Sequence, residues 1–353
     1  GGQGKTKPIC EAFKLGKCKY GDGCKFLHQW APNGDLNQLQ IMSLTETKET
    51  ACALHLAEFP ILAVAFGRRV MFFSAEDPKS NTDIQIEGDI SCMIVEKGIL
   101  AVAYINQNKK GQVLLAPVQA GFPTKVLIPD CHDNAINGMF FIEGKLITAS
   151  KDCYIRMWSE DPQKQKMVSV ASGMSTSGIC SIKLLELSGK AVIAAGCEDG
   201  TIQLFTWDDQ STPPKWNRAF TVQEHNNQMV SAMTLCNGLL YSSGFDGTVC
   251  ITSLAGNDPK RVNSVNVQAP ISAIKYYAKA DFMILGLADG TVQLYKSDGF
   301  SLYTWFKVHY NVIVSILCLE EKGLFMVLDL SGVVSCWQVV SGEGLKQQLA
   351  GEM

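Results

Sequence analysis

A short motif recurs seven times along the chain at a nearly constant interval, and this repetition limits the folds open to the sequence. The clearest copies read ASKDCYIRMW, AGCEDGTIQLF, SGFDGTVCIT and GLADGTVQLY. The β-branched residue that follows the hairpin in each of the seven copies is Val70, Val113, Ile155, Ile202, Val249, Val292 and Val334. Successive copies lie 43, 42, 47, 47, 43 and 42 residues apart. A period of roughly 40–45 residues with a tight hairpin is typical of four-stranded propeller blades.

The segments between the motifs are short apolar runs bounded by turn residues, and helical periodicity is nearly absent. We therefore predict an all-β fold with a seven-bladed β-propeller over residues 36–345. Counting strands leaves the last blade without its outer strand, so we expect residues 36–44 to return and supply it. Such closure removes exposed sheet edges. Residues 346–353 are assigned to a C-terminal tail.

Charge divides the chain unevenly. Residues 1–30 hold six lysines against two acidic residues, a net of +4, so the other residues sum to −7 within the overall −3. No apolar run approaches the roughly 18 residues that span a membrane. The thirteen cysteines lie mostly within apolar segments, which is the usage of a reducing compartment. We predict an intracellular protein without membrane contact, with the nucleus favoured over the cytoplasm, and separate roles for its basic and acidic parts.

Three cysteines and a histidine near the start have the spacing C-x7-C-x5-C-x3-H. They are Cys10, Cys18, Cys24 and His28. Three thiolates and an imidazole match the closed tetrahedral ligand set of a structural zinc ion. So short a segment cannot bury enough surface to fold alone, so the metal must supply its folding free energy. We predict a zinc finger over residues 5–30, followed by a linker over residues 31–35.

Aromatic and basic residues alternate with these ligands. Tyr20 and Phe26 each lie two residues after a cysteine, and the lysines of the same loop are Lys17, Lys19 and Lys25. Flat rings on a metal-organised loop can stack on unpaired bases, and lysines attract phosphates. Phe13 is assigned to packing. The GGQGKT segment at residues 1–6 lacks the strand–loop–helix context of a phosphate-binding loop and is not interpreted as a nucleotide site.

The string CKYGDGCKFLH resembles the CCCH-type zinc fingers, a family that mostly binds single-stranded RNA. The first spacer of the best-studied RNA-binding members has eight residues, whereas this chain has seven. The resemblance implies one structural zinc ion and contact with single-stranded RNA.

The repeats resemble WD repeats, which makes the predicted fold a seven-bladed WD-repeat propeller. The third copy is the fullest, with the set His132, Ser150, Asp152 and Trp158. His225 and Asp246 repeat the pair in the fifth copy, whereas Ser331 occupies the aspartate position in the last. In the WD family such groups tie a loop, a strand and a hairpin together, so we expect a buried structural network. A Ser–His–Asp catalytic triad is the alternative, but nothing in the sequence suggests an oxyanion site or a cleft. We expect no enzymatic activity and no small-molecule substrate.

Hairpin positions of one predicted rim carry basic residues in the first three copies. They are Arg68, Arg69, Lys109, Lys110 and Lys151. These residues could continue a nucleic-acid path, hold an acidic peptide, or be solvated surface charge. Phe245 and Tyr310 are candidate apolar contacts for a protein partner.

One CCCH finger followed by seven WD-type repeats resembles the plant family of CCCH zinc finger proteins with WD repeats, over nearly the whole chain. Members of that family commonly carry a further finger upstream. Our first hypothesis is a non-enzymatic adaptor whose finger binds single-stranded RNA and whose propeller binds protein. The second is a protein-interaction scaffold or ubiquitin-ligase substrate receptor whose finger docks protein. The third and weaker hypothesis is association with nuclear DNA, which the absence of a groove-reading helix opposes.

Overall fold

The structure is a computed structural model that describes residues 7–32, 34–44, 50–56, 61–74, 81–118, 126–164, 166–187, 189–208, 210–255 and 258–340. The GGQGKT segment, linker residue 33 and the predicted tail at 346–353 lie outside these ranges. Within them, none of the helices has the length and apolar character needed to cross a membrane.

Short strands account for most of the described residues. In chain order they are β1 Leu36–Ser43, β2 Thr50–Leu56, β3 Ile61–Phe66, β4 Arg69–Ser74, β5 Asn81–Gln85, β6 Asp89–Glu96, β7 Ile99–Ile105, β8 Gly111–Pro117, β9 Val126–His132, β10 Ile136–Ile142, β11 Lys145–Ser150, β12 Tyr154–Asp161, β13 Lys166–Met174, β14 Ile179–Leu187, β15 Lys190–Cys197, β16 Thr201–Asp208, β17 Lys215–Gln223, β18 Val230–Cys236, β19 Leu239–Gly244, β20 Thr248–Ser253, β21 Lys260–Asn266, β22 Ile271–Tyr277, β23 Phe282–Leu287, β24 Val292–Lys296, β25 Ser301–Phe306, β26 Ile313–Leu319, β27 Leu324–Asp329 and β28 Val333–Val339. The helical elements are α1 Glu11–Lys14 and the 3-10 turns Gly21–Gly23, Ala278–Ala280, Asp298–Phe300 and Glu320–Lys322.

These strands form seven four-stranded sheets, so the described residues confirm the predicted all-β, seven-bladed propeller fold. Blades one to six each contain four consecutive strands, from β2–β5 to β22–β25. Blade seven has the order β1-β28-β27-β26. The chain divides into two compact units, one of residues 48–271 and one of residues 1–47 with 272–353.

The unit of residues 48–271 buries its apolar side chains between consecutive blades. One cluster joins Val70 of blade one to Val102 of blade two, and another joins Ile155 of blade three to Ile193 of blade four. Alternating β-branched and aromatic residues fit this arrangement because successive side chains of a strand face opposite sides of the sheet. Consecutive blades of this unit therefore cover one another's apolar sheet faces.

A β-bulge recurs near the start of the innermost strand of several blades. Register shifts interrupt the pairing of β6, β10 and β14 with the next strand at this position. A side chain at or beside each bulge then bonds the backbone of the following blade: Ser91 Oγ donates to Ile136 O at 2.6 Å, and Asn137 Nδ2 donates to Ile179 O at 2.9 Å. A bulge re-aims one side chain without changing the rest of the strand. Side chains at the bulges thus add hydrogen bonds between consecutive blades to the apolar packing between them.

In the unit of residues 1–47 and 272–353, an N-terminal strand completes the last blade. β1 pairs with β28 in antiparallel register from Leu36 opposite Val339 to Ser43 opposite Val333. The two strands belong to opposite ends of the chain. Trp337 of β28 is fully buried in the core of this unit.

The seven repeat positions all occupy equivalent places. Each β-branched residue lies at the beginning of the third strand in sequence within its repeat, and none is more than 2% exposed. The sequence motif therefore recurs because each blade buries one β-branched side chain at the same place in its third strand.

A hydrogen-bonded chain runs through the middle of blade three. Trp158 Nε1 donates to Thr148 Oγ1 at 2.9 Å, and that hydroxyl lies 2.7 Å from His132 Nε2. His132 Nδ1 lies 2.9 Å from the Asp152 carboxylate. Each group has a suitable partner if neutral His132 carries its proton on Nδ1. Ser150 Oγ donates to a backbone carbonyl instead of approaching His132, so the cluster has the geometry of a structural network and not of a triad.

Blade five contains a similar arrangement, and blade seven contains a variant that the sequence did not predict. His225 lies 3.1 Å from Asp246 and 2.9 Å from Ser242. In blade seven, the carboxylate partner of His309 is Asp329, at 3.1 Å, and not the residue at the aligned position, Ser331. Ser331 does occupy the aligned position. The carboxylate comes instead from Asp329, two residues earlier in the hairpin, and the aligned pattern did not predict this.

Replacing Thr148 with valine should destabilise the protein strongly, because both the indole of Trp158 and the ring of His132 lose their shared partner. Leaving two buried groups unpaired costs about 3 kcal/mol. Thr148→Ser keeps the hydroxyl and is the matched control. Urea denaturation measures the effect, and equal unfolding free energies for the valine and serine variants would contradict it.

The same network should make the protein less stable in acid. Burial lowers the pKa of His132, although Asp152 acts in the opposite direction. Burial raises the pKa of Asp152, but its hydrogen bonds, first with His132, lower that pKa to about 2 overall. Stability from His132 is therefore present above the unfolded pKa near 6.5 and is lost below it, and stability from Asp152 is lost between roughly 3.8 and 2.

Urea midpoints measured from about pH 7.5 to pH 5 test the histidine contribution, because they cover the unfolded-state titration of that side chain. The midpoint should fall less steeply in His132→Gln than in the unmodified protein. Parallel curves would show that His132 binds protons equally in the folded and unfolded chains.

Candidate nucleic-acid interface

Short backbone elements position the four predicted zinc ligands. α1 begins directly after Cys10, and the 3-10 turn Gly21–Gly23 ends directly before Cys24. A parallel bridge joins Ile9 to Leu27, with Cys10 N donating to Leu27 O at 2.8 Å. This bridge brings the first ligand beside the last. The loop between the elements has no larger hydrophobic core of its own, so the ligand set must hold it.

The four ligand atoms converge on one point. The Sγ atoms of Cys10, Cys18 and Cys24 and a ring nitrogen of His28 all lie within 4.8 Å of one another. Cys10 Sγ and Cys24 Sγ are 3.8 Å apart, and His28 Nε2 is 3.2 Å from Cys18 Sγ. Bonds of about 2.3 Å to a tetrahedral zinc ion place two sulfur atoms about 3.8 Å apart. The ligand set therefore fits one structural zinc ion, with no position left for a reacting water.

Both rings predicted to contact bases face solvent. Tyr20 is 77% exposed and Phe26 is 50% exposed. Lys17, Lys19 and Lys25 are also exposed, and none of the three forms an ion pair with a described carboxylate. The finger thus presents two exposed rings and three lysines that have no ion pair among the described residues.

Phe13 packs inside the finger, on the metal ligand. Its ring stacks on His28 with 4.5 Å between centroids and 11° between planes, and it also contacts Trp30 at 4.5 Å. A ring stacked on a zinc-bound imidazole fixes the orientation of that ligand. Phe13 and Trp30 therefore support the metal site from one side.

Trp30 also joins the finger to blades six and seven. Its ring meets Trp337 edge-on at 5.0 Å and Phe306 edge-on at 6.0 Å. Its backbone oxygen accepts a hydrogen bond of 2.5 Å from Thr304 Oγ1. The finger and the last two blades consequently share one hydrophobic cluster.

The lysine at the end of α1 strengthens this contact instead of remaining free. Lys14 is buried, its ammonium lies 5.3 Å from the centroid of the Trp305 ring, and its backbone oxygen accepts a bond from Lys307 N at 3.0 Å. A cation over an aromatic face is stabilising when it is shielded from water. Lys14 therefore belongs to the docking surface and is withdrawn from any phosphate contact.

The sequence did not identify Trp30 as a contact, and it assigned residues 31–35 to a linker. In the structure Ala31 is fully buried, and Asp35 accepts a hydrogen bond of 2.7 Å from Tyr303. Tyr303 lies 268 positions from Asp35 in the chain, so no local sequence pattern predicts this contact. The sequence feature that could have indicated the contact with the blades is Trp30, an aromatic residue in an otherwise polar segment.

The basic residues of the predicted rim are mostly paired. Arg68 lies 3.0 Å from Asp89, Lys110 lies 2.5 Å from Asp133, and Lys151 lies 3.2 Å from Glu198, in each case between one blade and the next. Arg69 pairs with Asp83 at 3.1 Å within blade one. Lys109 is exposed and has no ion pair among the described residues. These exposed pairs contribute little stability, and they reduce the free positive charge of this set.

The two candidate apolar contacts differ in exposure. Phe245 in the hairpin of blade five is 36% exposed, whereas Tyr310 is 69% exposed. Tyr310 Oη lies 3.5 Å from Leu15 O of the finger. The structure thus places Tyr310 beside the finger.

Replacing Trp30 with alanine should loosen the finger, because the half-buried indole joins Phe13 to Trp337. We expect a loss of about 2 kcal/mol of unfolding free energy and faster zinc release to a chromogenic chelator. Tyr20→Ala removes an aromatic ring that makes no such contact and is the control. Unchanged zinc release in the Trp30 variant would show that the contact does not support the metal site.

Comparisons with known proteins agree with both parts of this description. A family model described as zinc finger C-x8-C-x5-C-x3-H type (and similar) matches residues 5–29, and one described as WD domain, G-beta repeat matches residues 123–159. No curated protein matches the chain.

A solved structure entitled "Crystal Structure of Mitotic Checkpoint Complex" contains a chain with a similar fold. The match has a TM-score of 0.69 and 16% sequence identity, and it covers 86% of this chain and 96% of that one. At this identity the likeness shows the fold alone. The chain therefore contains a CCCH-type zinc finger and a WD40 repeat within a seven-bladed propeller fold, both of which are typically binding domains and not enzymes.

Proposed function

We propose that this protein is a non-enzymatic nucleic-acid-binding adaptor whose finger contacts single-stranded RNA and whose propeller binds protein. The observation that carries the proposal is the exposure of Tyr20 and Phe26 on a loop organised by four metal ligands. Two rings needed only for packing would be turned inward, as Phe13 is. Their exposure costs hydrophobic burial, which a stacked base would restore.

The charges around the rings support a polyanionic ligand. Lys17, Lys19 and Lys25 have no carboxylate partner among the described residues and lie in the same loop as the two rings. Alternation of flat rings with ammonium groups matches the alternation of bases and phosphates along a single strand.

The finger is less well suited to recognising duplex DNA than to binding a single strand. α1 has four residues, about one turn, and its lysine is buried against Trp305. Proteins that read duplex DNA through a helix place several of its side chains in the major groove. Single-stranded RNA is therefore preferred to duplex DNA, and DNA association is the weaker alternative.

The propeller is proposed as the protein-binding part. Its blades are held by buried networks and interblade contacts, which suits a rigid platform with binding loops. Membership of the plant family of CCCH zinc finger proteins with WD repeats and location in the nucleus or cytoplasm, with the nucleus favoured, are parts of the same proposal.

A scaffold that uses the finger to dock protein, for example a ubiquitin-ligase substrate receptor, is the second candidate. Exposed aromatic rings such as Tyr20 and Tyr310 are also common in protein interfaces. This candidate predicts that RNA binding is absent while a protein partner is lost on mutation of the rings.

The double variant Tyr20→Ala/Phe26→Ala should lose RNA affinity and keep its zinc. Each stacked base contributes about 1–3 kcal/mol, so we expect at least a tenfold weaker affinity for a pool of single-stranded RNA. In the unmodified protein, contacts from three lysines should give a slope of about −2 in a plot of log affinity against log salt concentration. Fluorescence anisotropy of the full chain measures both quantities.

Val262→Ala is the control for this experiment, because it removes an exposed apolar side chain from β21. Its affinity should equal that of the unmodified protein. Equal RNA binding by the double variant, or no binding by the unmodified chain, would contradict the proposal and favour the scaffold.

A further inference from the structure

A cleft of about 490 Å³ lies between the finger and blade seven. The finger contributes Phe13, His28 and Trp30 to its wall, β1 contributes Gln38, and the loop before β26 contributes Tyr310. Two of the zinc ligands, Cys18 and His28, also line it, so part of this volume borders the metal site. The cleft exists because the finger docks on the blades, so neither part forms it alone.

Tyr310 stands at this cleft without a strong contact to hold it. Its side chain is 69% exposed, and its hydroxyl lies 3.5 Å from Leu15 O, at the limit of a hydrogen bond. A Cβ added at Gly16 would lie 3.8 Å from the same hydroxyl. The hydroxyl end of the ring therefore lies within van der Waals reach of the finger, and the exposed remainder of the ring is open to a flat ligand.

Gln38 supplies an unused hydrogen-bond donor. Its Nε2 atom is buried and has no hydrogen-bond partner. Buried amide groups in native proteins nearly always have partners, since each unpaired one costs free energy. Because this atom has almost no accessible surface, an acceptor on a ligand would pair with it once the amide turns into the cleft.

The charge near the cleft suits a nucleic acid. None of the described residues that line it is acidic, and Cys18 on its wall is flanked by the exposed Lys17 and Lys19. Tyr310 offers an exposed ring and Gln38 a donor, a pair that suits a base with its π-faces and its acceptors at the rim. A peptide also offers planar acceptors, and RNA is preferred because Tyr20 and Phe26 are exposed on the same finger.

We propose that this cleft binds an unpaired base of the RNA strand that Tyr20 and Phe26 contact, so that the finger and blade seven form one composite RNA site. The base stacks on Tyr310 and, with the Gln38 amide turned into the cleft, accepts a hydrogen bond from Gln38 Nε2. This inference rests on the proposed RNA binding and adds the blade to it. The finger alone would then bind a shorter stretch of RNA than the whole chain.

Tyr310→Ala in the full chain tests the stacking contact. Anisotropy with a short fluorescent single-stranded RNA of random sequence should show about tenfold weaker binding, with zinc content unchanged. Tyr310→Phe keeps the ring and should bind as the unmodified protein does. Phe245→Ala, which removes an aromatic ring from the hairpin of blade five, is the control and should have no effect.

Gln38→Met tests the donor and separates function from structure. The substitution removes the unpaired amide while keeping the length of the side chain, so the urea midpoint should stay equal or rise. The affinity for RNA should fall by about three- to tenfold, as expected for one lost hydrogen bond. A purely structural role for Gln38 predicts lower stability and unchanged affinity.

Three outcomes would overturn the inference. If Tyr20→Ala/Phe26→Ala abolishes binding while Tyr310→Ala and Gln38→Met bind normally, the finger binds RNA and the cleft does not. If the unmodified chain binds no RNA, the proposed function fails and the cleft proposal fails with it. If Tyr310→Ala loses a protein partner and keeps RNA, the cleft is a protein-docking surface.

Two further measurements support the inference if they succeed. Ultraviolet crosslinking followed by mass spectrometry should place a nucleotide on the peptide that contains Tyr310. The anisotropy measurement is repeated with single-stranded DNA of matched sequence. If Tyr310→Ala lowers the affinity for DNA and for RNA by the same factor, the cleft recognises the base and not the sugar.

Discussion

The contact between Trp30 and Trp337 is the interaction on which the N-terminal part of this protein depends. One tryptophan lies two residues after a zinc ligand, and the other lies at the centre of the core of blade seven. Because Phe13 stacks between Trp30 and His28, the metal site and the blade core are connected through three successive ring contacts. The finger is therefore part of a larger packed unit.

That docking divides the residues of the basic finger into two classes. Phe13, Lys14 and Trp30 face the blades, where burial and ring contacts hold them. Tyr20, Phe26, Lys17, Lys19 and Lys25 are exposed to solvent. An RNA strand on the exposed side would therefore meet a surface whose orientation is already set, and less ordering entropy would oppose binding than for a mobile finger.

The fold could be predicted almost completely from one repeated side chain, because a residue buried in every blade leaves a strict period in the sequence. The metal ligands could be predicted for a similar reason, since coordination requires particular residue types at short spacing. Trp30, Asp329 and the bulges at Ser91 and Asn137 could not. Each depends on where a distant strand or hairpin places its backbone, and a single sequence contains no period or spacing that reports such a meeting.

The pairing of β1 with β28 has a consequence for how the protein is made. Ser43 pairs with Val333, so the nascent chain must grow by 290 residues after its first strand appears before the partner of that strand exists. At ordinary rates of translation this takes roughly 15–60 seconds. During this interval a bound zinc ion stabilises the N-terminal segment, while the indole of Trp30 and the edge of β1 lack their later partners. We expect molecular chaperones to recognise this segment on the ribosome, and the supply of zinc to determine whether it is ready when the last blade emerges.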